Sequence, residues 1–440
     1  MPKNNNLSIW GAPAQINTHW LTKLILIVWI ALLGADRIDL AGGNLSFSLS
    51  PFLFFTLILL FSLVLTGFQK PFYGYALHFD KNILYIYGFL VVTIIPSVIL
   101  SNDFTLSLKR FFLLNFEFIS ILFILNRLTE FTDRNKIILS GAVLGLLIYI
   151  AFSIFEEVRW ISGNLNIFGK YLKLDILSFG PFAPRLSGLS NDPNRACLVL
   201  TNFFFIFLFI NKESKSKYLL MISCSTLIIL SLSKSGLLLL IVSILIYLLI
   251  AYNRKELIRL IIVSLVSVIF SWLILKFVDG VNFSTSNSER SFLTERFSII
   301  PVPSVIPVPS VIIPFAAMPG SSADVHISLF KRAYEFSTDS PLNFLVGNGF
   351  QASQNLLKDY FPDNKYANFH SLYLTLIVES GFFSLIAILI FLAYPIIFKV
   401  SLRPILIGVV VFNIFYQSIL DPVFWFIYLF GWMSINNKKE

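Results

Sequence analysis

Residues 364–389 read NKYANFHSLYLTLIVESGFFSLIAIL, a polar loop that turns within a few residues into an apolar run. From Ser371 onward the stretch is long and apolar enough for a bilayer core, which takes about 20 residues of helix. A histidine, one of four in the chain, stands at the junction. It is either a solvated helix-start residue or a titratable group placed at a membrane surface to move a proton. The rest of the chain decides between these.

Of the 440 residues, 56% are hydrophobic and only 13% charged, and the mean hydropathy is +0.80. Soluble domains carry about 25% charged residues, so this composition excludes a soluble globular chain. Hydropathy places about twelve spans near 20–35, 50–67, 84–101, 108–126, 136–155, 194–210, 217–233, 235–252, 257–276, 370–395, 398–420 and 422–435. The expected fold is an all-α polytopic membrane protein. The first twenty residues are polar and aromatic, without the basic-then-apolar pattern of a cleavable leader.

Loop charge orients the spans. Turns after even-numbered spans carry segments such as NRLTEFTDRNK, NKESKSK and FKVSLRP, in which Lys and Arg outnumber Asp and Glu. Residues 277–369 hold six Lys/Arg against eight Asp/Glu. Basic short loops face the cytoplasm, so both termini are expected inside and the long loops, 156–193 and 277–369, outside. The net charge of +9 reflects this topology and implies no nucleic-acid partner. Cys197 and Cys224 fall inside spans, where a free thiol behaves as a small hydrophobe.

Two long loops on one side are a functional signal, since most connections are short. The shorter ends in RLSGLSNDPNRACLVL (185–200), where Asp192 and Pro193 read as N-cap and first helical residue. A capped membrane helix explains that pair but not Arg185 and Arg195, which bracket the cap on the side where arginine is less expected. The longer loop repeats IPVPSV at 300–305 and 306–311, too proline-dense for a spanning helix, and reads as an extended strap or a duplicated spacer. Arg290, Arg296 and Lys331-Arg332 flank it. PLNFLVGNGF (341–350) then supplies a turn with Gly347 and Gly349, suited to close backbone geometry.

RLSGLSNDPNRACLVL, LSLSKSGLLLL (230–240), PLNFLVGNGF and NFHSLYLTLIVESGFF (368–383), in that order, resemble the O-antigen ligase and Wzy-type O-antigen polymerase superfamily. The matching elements are an Arg–Gly–(D/N)PN segment before a helix and a Ser-Arg-Gly-like turn between two helices. A PxxGxG-like turn and an H-N-x-Y-L helix start with E-x-G downstream complete them. The motifs cover about 185–385. Ser371 replaces the usual Asn, Lys234 stands where Arg is common, and Tyr334 stands for the expected Trp.

The resemblance implies a GT-C-like membrane fold of about twelve helices with a large external loop between the ninth and tenth. It divides the chain into 1–276, the loop 277–369 and 370–440. It implies a metal-independent glycosyltransferase of the bacterial inner membrane with its site on the periplasmic face. The donor would be an undecaprenyl-diphosphate-linked glycan, the acceptor a sugar or lipid A-core, and the surroundings membrane lipid.

Carried over by position, His370 is the expected base and Arg185 the first expected diphosphate ligand. Arg332 is the favoured loop arginine, with Arg296, Arg290 and Arg195 as further diphosphate or substrate contacts. These types suit the chemistry: guanidinium binds phosphate oxygens bidentately and stays charged, and imidazole titrates near neutrality. The four histidines, His19, His78, His326 and His370, are read as scattered, and neither a metal site nor a cofactor motif is expected. The expected function is a polysaccharide polymerase, with an O-antigen ligase as the alternative within the family. A lipid-linked oligosaccharide flippase is the alternative of another class, for which Glu117 and Glu379 would be the intramembrane ionisable groups. Glu379, nine residues after His370, lies about half a turn around the helix and roughly 13 Å deeper, and is read as a packing group.

Overall fold

The computed structural model describes residues 20–41, 49–67, 81–162, 178–179, 183–210, 216–250, 254–282, 322–358, 368–398 and 402–433. The chain enters through α1 (Trp20–Ala31), α2 (Pro51–Gly67), α3 (Asn82–Ile99), α4 (Phe104–Thr129) and α5 (Arg134–Ser162). A two-residue hairpin follows, β1 (Ser178–Phe179) and β2 (Ala183–Pro184), antiparallel with Ser178 opposite Pro184. Then come α6 (Pro193–Ile210), α7 (Ser216–Leu230), α8 (Lys234–Ile250) and α9 (Arg254–Asn282). After these stand α10 (Ser322–Thr338) and the short α11 (Pro341–Val346) and α12 (Ser353–Leu356). The chain ends through α13 (Leu372–Phe398), α14 (Arg403–Phe412) and α15 (Pro422–Met433).

Helices α3, α4, α5, α6, α9 and α13 are long and apolar enough to cross a membrane. Shorter apolar helices of 10–17 residues occupy the other six apolar runs. The chain is a multi-pass membrane protein. In lipid each backbone N–H and C=O must be satisfied within the protein, which helices achieve. Side chains on α9, such as Ile258, Ile262, Leu265 and Ile269, are exposed, whereas α6 is enclosed by the bundle, 78% of its span being buried.

Lipid supplies no hydrophobic drive for helix association, so close packing and small residues must hold the bundle together. Gly236 of α8 sits directly on Cys197 of α6, and Gly408 of α14 sits on Ser243 of α8. Phe118, Phe391 and Trp425 join α4, α13 and α15 through edge-to-face contacts, with centroids 5.3–6.2 Å apart.

The structure departs from the hydropathy reading in three places. The run 398–420 is helical only over Arg403–Phe412, because Asn413 turns its amide back onto Val409 O and accepts from Ser418, closing a turn. The loop 277–369 contains helix: α9 continues to Asn282, and α10 to α12 lie within the loop. Finally, α13 is broken at Gly381, whose φ of +77° is outside the helical range. Arg290, Arg296, both IPVPSV repeats, His19 and His78 lie outside the described residues.

Candidate functional site

The turn that carries Arg185 is built around a buried carboxylate. Glu156, at the end of α5, accepts from Ser187 N at 3.0 Å, Ser187 Oγ at 3.0 Å and Gly188 N at 2.8 Å. Arg37 pairs with the same carboxylate and donates to Ser187 Oγ at 2.6 Å, and both partners of the ion pair are 1% exposed. Removing two charges from water is costly unless geometry and extra hydrogen bonds repay it; here the backbone of the turn supplies those bonds. The turn then presents Arg185, whose Nε donates to Ser231 O at 3.4 Å. Burial lowers the proton affinity of Arg185, and the Asp192 carboxylate opposes this; a guanidinium nonetheless stays charged at neutral pH.

Ser231 belongs to the SLSKSG turn, which is fixed to the start of α6. Asn194 Oδ1 accepts from Ser233 Oγ at 2.5 Å and from Ser235 Oγ at 2.9 Å. Asp192 caps α6 through Asn194 N at 2.6 Å. Lys234, between the two serines, is exposed. The first turns of α6 and α8 thus meet, and helix N-termini favour anions.

Arg195 is the hub beneath this surface. Its Nε donates to Asp421 Oδ2 at 2.8 Å, its terminal nitrogen pairs with Asp36, and Tyr416 is a further hydrogen-bond partner. Asp36 also accepts from Asn191 N at 2.8 Å. The carbonyls of Asn413 and Tyr416 accept from Leu372 N at 2.9 and 3.0 Å. Arg195 therefore links the start of α6 to the start of α13, and its donors face carboxylates of the protein.

His370 stands at that second helix start. Its backbone N–H donates to Asn368 Oδ1 at 2.7 Å, and Ser371 Oγ accepts from Leu374 N at 3.4 Å. Its φ of +50° is uncommon for a residue with a Cβ, and such residues concentrate at functional sites. Loss of hydration and the nearby His326 hold its pKa below the usual histidine value. His370 is nonetheless exposed at the surface, and hydration there limits the displacement.

Two of the four histidines, His326 and His370, come together. The His326 ring of α10 lies edge-to-face with His370, centroids 5.7 Å apart, and faces Phe415 at 6.1 Å. Sequence spacing missed this contact because 44 positions separate the two rings; packing of α10 against α13 closes that distance. Burial, and then the charge of Lys234, lower the pKa of His326. Among the described residues no three metal-ligating side chains come together.

Arg332 lies on the same helix, six residues or about 120° around from His326. It pairs with Glu335 at 2.5 Å and is 37% exposed. The GNG turn packs instead on α13: Asn348 N donates to Val378 O at 2.8 Å and Gly349 N to Glu379 O at 3.0 Å. The Glu379 carboxylate accepts from Gln351 N at 2.9 Å and from Ser353 N at 3.1 Å. Glu379 thus braces the turn, in keeping with a packing role.

No curated protein matches the chain. A family model described as O-antigen ligase matches residues 219–389, a stretch that holds the SLSKSG turn, the GNG turn, His326 and His370. Over that stretch the chain is similar to the O-antigen ligase family.

Proposed function

We propose that the protein is a glycosyltransferase that polymerises repeat units of a surface polysaccharide. It moves a glycan from undecaprenyl diphosphate to a sugar hydroxyl on the outer face of the bacterial inner membrane. The observation that carries this reading is the convergence of three motifs at one end of the bundle. Arg185 bonds to the SLSKSG turn, that turn bonds to Asn194, and the Arg195–Tyr416 contact leads to the start of α13 beside His370.

In this reading the acceptor oxygen attacks the anomeric carbon while His370 takes its proton. The bond from that carbon to the diphosphate oxygen breaks, and the electron pair leaves on the diphosphate. Arg185 faces the growing negative charge, as an electrostatic stabiliser must. Arg332, Arg296 and Arg290 are assigned to substrate contact from the large loop. Arg195 serves by holding two helix starts in place. The energy is that of the donor linkage, and no cofactor is required.

A second reading, transfer of the glycan to lipid A-core, is favoured by the description of the matching family as a ligase. The donor chemistry is common to both. The test is to give purified protein in lipid an undecaprenyl-diphosphate-linked repeat unit, with and without lipid A-core. A ladder of products without core supports the polymerase. Product formed only with core supports the ligase, and diphosphate release in neither arm overturns both.

A further inference from the structure

Resting on the reading above, we propose that His326 is the leaving-group partner of the site. Its protonated imidazole donates to the departing diphosphate while His370 serves the acceptor. Three observations carry this. First, the two rings are in edge-to-face contact, centroids 5.7 Å apart, so the two imidazoles are neighbours at the start of α13. Second, the position of His326 is built: α10 is anchored by buried Leu329 and Ala333, which pack with Phe369 and Val378 of the α13 segment, and Phe415 covers another side of the ring. Third, the charged or titratable groups that act on His326 among the described residues are Lys234 of α8 and His370. Both are basic, so its surroundings favour an anion.

This arrangement separates the two imidazoles by task. Lys234 acts electrostatically on His326, and the SLSKSG turn that carries it also contacts Arg185. The diphosphate side of the site is therefore Arg185, Lys234 and His326, which leaves His370 toward the acceptor. With no anion bound, Lys234 disfavours a second positive charge on His326. A bound diphosphate reverses that preference, since a nearby opposite charge favours the protonated form.

The proton account closes. The acceptor hydroxyl gives one proton to His370. Rupture of the bond between the anomeric carbon and oxygen adds one negative charge to the diphosphate, and the His326 imidazolium donates its N–H to that oxygen. If the proton follows, His326 ends neutral and His370 protonated. Transfer between the two neighbouring rings, directly or through one water, then restores the starting state without an outside acid.

The experiment compares wild type with His326→Gln, His326→Arg and His370→Ala, all in lipid, by transfer rate across pH. His326→Gln is expected to lower kcat by about 100-fold, the size of a general-acid contribution, with KM little changed. The basic limb of the wild-type profile should be absent in His326→Arg, which carries a permanent charge and should keep more activity than His326→Gln. In parallel, histidine-labelled wild type is titrated with undecaprenyl diphosphate and followed by imidazole NMR. The His326 signal, assigned by its loss in His326→Gln, should move to the protonated position.

Wild-type rate in a folded His326→Gln protein, or a His326 signal that stays neutral at saturation, would overturn the inference. Activity lost equally in His326→Gln and His326→Arg, with thermal unfolding also lowered, assigns His326 to packing alone and overturns it too. If wild type transfers nothing, the functional reading fails. The titration still judges His326 as an anion ligand in that case.

Discussion

Gly347 and Glu379 meet backbone to backbone: a Cβ at Gly347 would fall on the carbonyl of Glu379, closer than any real Cβ contact. One residue pair further along, a Cβ at Gly381 would lie 2.6 Å from Val346 N. Both glycines have positive φ, +85° and +77°. The G-x-G turn and the E-x-G break in α13 are therefore two halves of one joint, each glycine leaving room for the backbone of the other segment. That joint holds α10 to α12, and with them His326, against the membrane helix that begins beside His370.

Alanine at Gly347 or Gly381 is expected to cost roughly 2–4 kcal/mol, from the left-handed backbone penalty and from overpacking. Thermal unfolding in detergent measures the loss. A Gly381→Ala protein as stable as wild type would show that the two backbones separate freely.

Removal of the Glu156 charge is expected to act on Arg185 at a distance. Glu156→Gln keeps the shape but offers an NH2 group where Ser187 N, Gly188 N and Arg37 all donate and need acceptors. Breaking a buried ion pair from one side costs about 3–5 kcal/mol. The folded fraction should also bind undecaprenyl diphosphate more weakly, because the turn before Ser187 loses its anchor. Unchanged affinity in folded Glu156→Gln would uncouple the Arg37–Glu156 pair from Arg185.

Arg195 and Asp421 are expected to behave as a coupled pair in stability. Asp421 is 1% exposed on its side chain and Arg195 22%, so Arg195→Lys, which lacks the planar fork, leaves the carboxylates of Asp36 and Asp421 poorly served. A double-mutant cycle of Arg195→Lys with Asp421→Asn should give a coupling of about 0.5–3 kcal/mol. Additive losses would remove Arg195 from its hub position and return it to the ligands of the diphosphate.

The membrane fold was legible because a helix in lipid needs only a long apolar run, and each of the twelve runs contains an apolar helix. Helix ends were less legible. Hydropathy cannot see Asn413 capping its own helix, nor a break at Gly381 within an unbroken apolar sequence. In the site, the local motifs were readable: Asp192 at the N-cap, glycine at the turn, His370 at the helix start. The long-range partners were not. Arg37 and Glu156 are 119 positions apart, and Arg195 and Asp421 are 226 apart. His326 reads as one of four scattered histidines until α10 packs beside α13.

The pH dependence of transfer should carry the mark of His370. A base must be unprotonated, and burial with His326 alongside holds the His370 pKa below the ordinary value. In the free enzyme the acid limb of kcat/KM is therefore expected below about pH 6.5, the unperturbed histidine value. The sign for stability follows from proton counts. Between the depressed folded pKa and the unfolded one, the unfolded chain binds more protons, so His370 makes the fold less stable as pH falls through that window. His370→Ala should abolish transfer and remove that part of the acid sensitivity, while leaving undecaprenyl diphosphate binding through Arg185 in place. An acid limb above pH 7 in kcat/KM, or full transfer by His370→Ala, would assign the base to another group.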